Sequence, residues 1–338
     1  MAKAPASKKD KRGTEGPAAL LPPGLGPIAS GKHLRLRTVL GSFSSAEEPA
    51  AVTRLYVSDD ETRLLACSSD AVGALWDLPA AAAVHTFKGQ GERVVGALAR
   101  RAPLAAVVEG MRLSLVDLVS KKELWKAKHG FEIPHDACGV ALTGEGGSVF
   151  VCGGEPLRIR AFDGRTGRVR GILQVLDEPS VTARLDLDVS DDGRLGVVAG
   201  GDSVALWDPV SMSMLRTLKH EGVGGACVSS DGHRVISSGW DWKVRVWDAR
   251  GGKQLASWGH SRGTVGGIAI SADGELALSC GTMDGTLTLR RAGSGKAVET
   301  LVAKKDRGHV SSAVFSHDGR TLYLGHRLGA ILIFSVTP

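Results

Sequence analysis

The chain has 338 residues, of which 43% are apolar, and its formal net charge is +6. This length allows two average domains or one large all-β domain, and the apolar share supports a sizeable core. No apolar run approaches the roughly 18 residues of a membrane-spanning helix, so we expect no membrane association. The 5 cysteines lie far apart without a CxxC pair, which argues against a disulfide framework or a zinc site and favours a reducing cytoplasm.

Residues 1–32 predict a disordered basic tail. The first 30 residues contain five Lys or Arg and two Asp or Glu, so they supply +3 of the net charge. Their Pro, Gly, Ala and Lys cannot bury enough apolar surface to become ordered. Two other interpretations stay open: the tail docks on an acidic partner or nucleic acid, or its "KKDKR" is a nuclear address. The rest of the chain carries only +3, too little to indicate nucleic-acid binding by the folded part.

A hairpin signature recurs along residues 33–338. The copies are "VSDDE" at 57–61, "VSDDG" at 189–193, "VSSDG" at 228–232, "ISADG" at 270–274 and "FSHDG" at 315–319. Each copy follows alternating apolar positions and precedes a short apolar run such as "RVISSG". Asp and Gly tolerate the backbone angles of a tight turn, so the signature predicts β-hairpins.

A third strand follows each hairpin and ends, in the best copies, on an aromatic–acid pair. The copies are "GALWD", "LSLVD", "IRAFD", "VALWD", "VRVWD", "LTLRR" and "ILIFS", with marker positions 76, 116, 162, 207, 247, 290 and 334. Successive markers are 40 to 46 residues apart. A fourth strand carries a hydroxyl before an apolar residue, as in "LRTL" and "VETL". The chain therefore repeats a four-stranded unit seven times.

Four short strands per unit, ending in Trp-Asp, resemble the WD40 family of β-propellers. The resemblance implies an all-β, seven-bladed propeller over residues 33–338. The seventh unit has no room for a fourth strand, but "LRTV" at 36–39 matches "LRTL" at 215–218. We therefore expect residues 33–40 to complete the last blade, which would cover an otherwise unpaired strand edge.

The resemblance also implies a structural tetrad in the best-kept copy. WD40 blades hold a His, a Ser or Thr, an Asp and the Trp in one hydrogen-bonded network, which satisfies buried polar groups. The matching residues here are His220, Ser237 or Ser238, Asp241 and Trp247. Other units lack members of the set: the units ending at positions 76 and 207 lack the His, and position 290 has Arg in place of Trp.

The expected partner surface is the narrower top face of the propeller. In the WD40 pattern, the residue just before the tetrad Asp lies near that face. The corresponding positions are Trp240, Met283, Arg327, Glu109 and Glu155. An exposed Trp near Met and Arg has the composition of a binding hot spot, while the two glutamates would make the opposite side acidic.

The expected function is a non-enzymatic platform that binds one or more proteins, because loops on a rigid ring present a preformed surface. One alternative is a substrate receptor of a cullin-type ubiquitin ligase. It rests on a Trp-Asp-x-Arg box at 247–250, in which Asp248 and Arg250 would dock the adaptor. A propeller enzyme is a further alternative, and it would need titratable groups that converge at one mouth of the ring. We expect a cytoplasmic location, or a nuclear one if the cell is eukaryotic, and nucleic-acid binding only through the tail.

The sequence indicates no catalytic residue, cofactor or metal site. His129 and His135 share a loop with Glu132 and Asp136, but their spacing matches no known metal motif, so we expect a solvated loop there.

Overall fold

The structure of the chain is a computed structural model that describes residues 30–41, 50–88, 94–131, 137–176, 186–260, 263–282, 285–302 and 309–337. All regular structure in these ranges is β-strand. None of these residues forms a helix long and apolar enough to cross a membrane. The strands make seven antiparallel sheets of four strands each. The predicted seven-bladed, all-β architecture is confirmed. The predicted tail, residues 1–32, lies almost wholly outside the described residues.

The strands follow in chain order. The first is β1 (Leu34–Leu40). Blade 1 contains β2 (Val52–Val57), β3 (Arg63–Ser68), β4 (Val72–Asp77) and β5 (Ala82–Lys88). Blade 2 contains β6 (Val94–Leu98), β7 (Leu104–Glu109), β8 (Arg112–Asp117) and β9 (Lys122–Lys128). Blade 3 contains β10 (Ala137–Leu142), β11 (Ser148–Gly153), β12 (Leu157–Asp163) and β13 (Val169–Leu176). Blade 4 contains β14 (Asp186–Val189), β15 (Gly196–Gly200), β16 (Ser203–Asp208) and β17 (Ser213–Lys219).

The remaining blades complete the set. Blade 5 contains β18 (Val223–Val228), β19 (Arg234–Gly239), β20 (Lys243–Asp248) and β21 (Gln254–Gly259). Blade 6 contains β22 (Val265–Ile270), β23 (Leu276–Gly281), β24 (Thr286–Arg291) and β25 (Ala297–Val302). Blade 7 contains β26 (Val310–Phe315), β27 (Thr321–His326) and β28 (Ile331–Val336), with β1 as its fourth strand.

The blades form a closed ring around a central channel. The first strands of successive blades contact each other all the way round, from β2 and β6 to β26 and β2. We call the end with the turns between second and third strands the top face. The bottom face carries the turns between first and second strands. Residues that are distant in sequence therefore meet wherever their turns converge on the channel.

Strand β1 closes the ring, as the sequence predicts. It runs antiparallel to β28, from the pair Leu34 and Val336 to the pair Leu40 and Ile331. Leu34 is fully buried in the core between blades 6 and 7. Glu299 in β25 accepts a hydrogen bond from the backbone N–H of Leu34 at 2.6 Å, which ties the start of the strand to the neighbouring blade. Closure thus combines ladder hydrogen bonds with apolar burial.

The hairpin turns follow from the Ser-x-Asp-Gly signature. In blade 4 the Ser190 hydroxyl donates to Asp192 at 2.6 Å and accepts from the backbone N–H of Leu195 at 3.0 Å. Gly193 completes the turn with a φ of 68°, a left-handed conformation that favours glycine. The Asp of the signature thus closes the turn through its side chain.

Candidate functional site

Blade 5 contains a continuous network of hydrogen-bonded side chains that extends to the top-face turn between its second and third strands. The Ser237 hydroxyl lies 2.7 Å from His220 Nδ1 and accepts from the indole N–H of Trp247 at 2.9 Å. His220 Nε2 lies 3.2 Å from Asp241 Oδ1, and Arg245 donates to the other oxygen of that carboxylate at 2.8 Å. Of the two serines allowed by the sequence, Ser237 is therefore the one in contact. Ser238 instead lines the central channel.

The network fixes the charge state of its members. Burial and, to a smaller extent, the nearby Arg245 charge together lower the pKa of His220 to about 4, although Asp241 acts in the opposite direction. Burial would raise the pKa of Asp241, but hydrogen bonds from the Lys243 backbone and from Arg245 outweigh it and lower that pKa. At neutral pH the network thus consists of a neutral imidazole and an ionised carboxylate.

Blade 6 has a second network that the sequence interpretation missed. Ser279 accepts from the indole N–H of Trp258 at 2.9 Å and lies 2.9 Å from His260 Nε2. Trp258 belongs to β21 of the preceding blade, and Arg290 lies over its ring at 5.3 Å. Blade 6 thus obtains its indole from the neighbouring blade, although its own third strand has Arg where Trp was expected. The sequence stretch "SWGH", which places a Trp two residues before a His, was the local pattern from which this network could have been predicted.

Two tryptophans stand on the top face next to the blade 5 network. Trp240 is 55% exposed and Trp242 is 49% exposed, and both lie in the turn that also supplies Asp241. The backbone N–H of Trp240 donates to Gly222 at 2.8 Å. A side chain at Gly224 would meet the Trp240 indole at 3.8 Å, so the ring lies beside the start of β18. Half of each indole still faces solvent.

The other predicted top-face residues are placed as follows. Arg327 and Glu155 are exposed in turns between second and third strands, and Glu109 is half-buried at the end of β7. Met283 lies outside the described residues. The structure therefore places four of the five positions at the top end of their blades, and Trp240 has the most exposed apolar surface among those four.

The residues of the possible ligase box lie at the opposite end of β20. Asp248 is half-buried and accepts the backbone N–H of Gly251 at 2.6 Å, so it closes the turn into β21. Arg250 is exposed, and its backbone carbonyl accepts a hydrogen bond from Arg216 at 2.7 Å. Asp248 thus has a local structural role, and only the Arg250 side chain is fully available to a partner.

The central channel is lined by paired charges. Arg54 and Asp186 form an ion pair between blades 1 and 4. Asp188 accepts the backbone N–H of Val228 at 3.0 Å, and burial raises the pKa of its carboxyl. The cavity that these residues line measures about 120 Å³. At the bottom mouth Asp59, Asp191 and His317 converge.

One loop differs from its expected environment. His129 is fully buried, and its Nε2 lies 2.8 Å from the carbonyl oxygen of Gly110, so the predicted solvated setting is wrong for this residue. The ring packs 5.4 Å from that of Phe131, which is also buried. His135, Glu132 and Asp136 lie outside the described residues.

Residues 212–248 and 252–289 match the family model of the WD domain, G-beta repeat. The chain is a WD40-repeat β-propeller. The two matched segments contain the blade 5 and blade 6 networks, so the WD40 signal is strongest where a Trp indole N–H is hydrogen-bonded to a buried Ser.

The WD40 propeller is also similar in sequence to several vertebrate proteins. It is 25% identical over 237 residues to the U3 small nucleolar RNA-associated protein 15 homolog of Gallus gallus, covering 69% of this chain and 44% of that protein. The Xenopus tropicalis homolog is 25% identical over 236 residues, covering 68% of this chain and 44% of its own length. The serine-threonine kinase receptor-associated protein of Bos taurus is 27% identical over 124 residues, covering 36% of this chain and 35% of that protein. The chain thus spans less than half the length of these relatives.

Proposed function

We propose that this WD40 propeller is a non-enzymatic assembly scaffold that docks one or more proteins on its top face, around Trp240, within a ribonucleoprotein particle. The observation that carries the proposal is the pair of half-exposed indoles, Trp240 and Trp242, on one turn. Exposed tryptophans are enriched among the residues that dominate binding energy in protein interfaces.

The turn between these tryptophans is rigid, which suits a docking surface. Asp241 lies between them and is held by His220 and Arg245. A preformed surface loses little conformational entropy when it binds, so more of the contact energy appears as affinity. The exposed Arg327, two blades further round the ring, supplies a charge of the kind found at interface rims.

The ribonucleoprotein setting rests on the relatives and on the tail. The matched vertebrate homologs are named for association with a small nucleolar RNA. The basic segment of residues 1–32 could contact the phosphate backbone, because lysines and arginines supply sequence-independent affinity for nucleic acid. These names favour the nuclear alternative over the cytoplasmic location expected from the sequence. Protein partners remain the primary proposal for the folded ring.

Two competing functions have weaker support. The ligase receptor requires Asp248 and Arg250 to engage an adaptor, yet Asp248 is committed to its own turn. An enzyme would need a substrate-sized site with a reactive group. The channel cavity of about 120 Å³ is smaller than the roughly 300 Å³ at which ligand pockets begin, so only the bottom face, where a cavity of about 490 Å³ opens beside Asp59, has room for a substrate.

The decisive test compares co-purifying proteins for four versions of the tagged full chain: the unchanged protein, Trp240→Ala, Arg250→Ala and Leu215→Ala. Leu215 is the matched control, because it is 53% exposed but lies on the outer strand β17. We expect Trp240→Ala to deplete a defined set of proteins by tenfold or more, while the other two versions retain them. Nuclease treatment of the same sample separates proteins held directly from those held through RNA.

Two other outcomes of this experiment would support a different conclusion. Loss of a cullin adaptor with Arg250→Ala alone would favour the ligase receptor. An unchanged set of proteins with Trp240→Ala would contradict the proposed docking surface.

A further inference from the structure

Turns from three blades bring potential metal ligands together at the bottom mouth of the channel. Asp59 is in the β2–β3 turn of blade 1, Asp191 in the β14–β15 turn of blade 4 and His317 in the β26–β27 turn of blade 7. Each occupies the position just before the acid that closes its own turn. Backbone hydrogen bonds hold two of the turns in place. The N–H of Asp59 donates to the carbonyl oxygen of Arg100 at 2.9 Å, and the N–H of Asp191 donates to the carbonyl oxygen of Ser230 at 3.2 Å.

These two aspartates are not used by their own turns. In blade 1 the turn is closed by Asp60, which accepts from Ser58 at 2.6 Å, and in blade 4 it is closed in the same way by Asp192. Asp59 and Asp191 are thus spare carboxylates that point into the mouth. A role in hairpin formation does not explain them.

One oxygen of each spare carboxylate is buried and, among the described residues, has only the His317 imidazole within ion-pair distance. Asp59 Oδ1 and Asp191 Oδ2 have no hydrogen-bond partner among the described residues, and the Asp191 side chain is only 8% exposed. The other Asp191 oxygen faces Arg100 Nε at 3.3 Å. Buried carboxylate oxygens are expensive unless they are paired or coordinate a cation.

The spacing of the three groups fits a small cation. His317 Nδ1 lies 3.5 Å from Asp59 Oδ1 and 3.9 Å from Asp191 Oδ2, and all three ligand atoms lie within 4.8 Å of one another. Tetrahedral ligands bound at 2.0–2.2 Å are about 3.4 Å apart, so small side-chain movements would complete the site. His317 is 48% exposed, which leaves a path to solvent and room for a water as a further ligand.

We propose that Asp59, Asp191 and His317 bind a divalent first-row transition metal ion, with Zn²⁺ the best fit, and that the ion links blades 1, 4 and 7 across the axis. The imidazole disfavours Ca²⁺ and Mg²⁺, which prefer oxygen ligands, whereas Zn²⁺ accepts imidazole together with carboxylate. Arg100 would then act as the outer partner that orients Asp191. The metal has a structural role here, which is independent of the top-face docking proposed above.

The test uses the full chain after treatment with chelator and dialysis at pH 7.5. Calorimetric titrations are made with ZnCl₂, MnCl₂ and CaCl₂ separately, and thermal unfolding is recorded with and without each metal. We expect one Zn²⁺ per chain, weaker binding of Mn²⁺, none of Ca²⁺, and a rise in melting temperature of about 4 °C once Zn²⁺ is about a hundredfold above its Kd.

Variants assign the binding to the cluster. His317→Ala and Asp191→Asn are expected to weaken Zn²⁺ binding at least tenfold. His233→Ala is the matched control, because His233 is exposed next to the corresponding turn of blade 5 but does not belong to the cluster. Absence of both Zn²⁺ and Mn²⁺ binding by the unchanged chain would overturn the proposal, as would equal Zn²⁺ binding by His317→Ala.

If a variant fails to fold, X-ray absorption on the zinc-loaded unchanged chain decides the question. A shell of oxygen and nitrogen that includes one imidazole supports the site, and a shell that contains sulfur contradicts it.

Discussion

Blades 4 and 5 are neighbours that bury a tryptophan at the same point of the third strand in different ways. In blade 5 the Trp247 indole donates to Ser237, and the network continues to His220 and Asp241. In blade 4 Trp207 is fully buried, and its indole nitrogen has no partner among the described residues. The ring therefore does not need a polar network in every blade.

The packing around Trp207 shows what replaces the network. The ring makes an edge contact with Phe150 of blade 3 at 5.0 Å between centroids. Gly196 on the adjacent strand leaves room for it, because a side chain there would meet the indole at 2.2 Å. Apolar stacking between blades therefore dominates in blade 4, whereas in blade 5 the network also holds the turn that carries Trp240.

The largest expected effect comes from removing the stacked ring in blade 4. Trp207→Ala should lower the free energy of unfolding by about 4 kcal/mol, because a large side chain is lost and a cavity remains. Urea unfolding of both proteins measures the difference. The control Val119→Ala, at a position 76% exposed, should change it by less than about 0.5 kcal/mol. A loss below about 1 kcal/mol for Trp207→Ala would contradict the dominance of stacking in this blade.

A smaller effect is expected from breaking the network in blade 5. Ser237→Ala leaves the Trp247 N–H and His220 Nδ1 buried without a partner, which should cost about 2 kcal/mol of unfolding free energy. The same urea experiment measures the change. Ser257→Ala, on the exposed side of β21, is the control and should be nearly neutral. If both serine variants behave alike, the network contributes nothing measurable to stability.

The network also makes blade 5 sensitive to acid. Its folded-state pKa of about 4 for His220 lies below the ordinary value of 6.5, so the unfolded chain binds more protons between these values. Stability from this residue is complete above pH 6.5 and is lost as the pH falls toward 4. Between pH 7.5 and 5 the unchanged chain should lose about 2 kcal/mol more than His220→Gln.

Urea unfolding of both proteins at the two pH values measures this difference. Parallel losses for the unchanged chain and His220→Gln would mean that His220 is not held neutral in the folded state.

The repeat units could be predicted from the sequence because each depends on local signals. The turn signature, the third-strand markers and the closing strand "LRTV" are each a pattern of only a few consecutive residues. The blade 5 network was also foreseeable, since its members recur at the spacing of the WD40 family. Stacking of Trp207 on Phe150 was not, because the sequence does not state which side chains face each other between blades.

Contacts across blades or across the channel were missed for the same reason. Trp258 completes the network of the blade after its own, and Asp59, Asp191 and His317 meet only because the ring brings their turns to one mouth. His129 reads as part of a polar loop, yet the packing around Phe131 buries it. These placements depend on the diameter of the ring and on side-chain direction, which no local pattern records.

We propose that the blade 5 network holds a rigid turn whose exposed Trp240 docks a protein partner. The most direct test is the Kd of a purified partner for the unchanged chain and for Trp240→Ala, together with the melting temperatures of both proteins. We predict that the variant binds about thirtyfold more weakly, equivalent to about 2 kcal/mol, and melts at the same temperature. An unchanged Kd, or a variant that unfolds, would contradict the claim and assign Trp240 to the architecture of the blade.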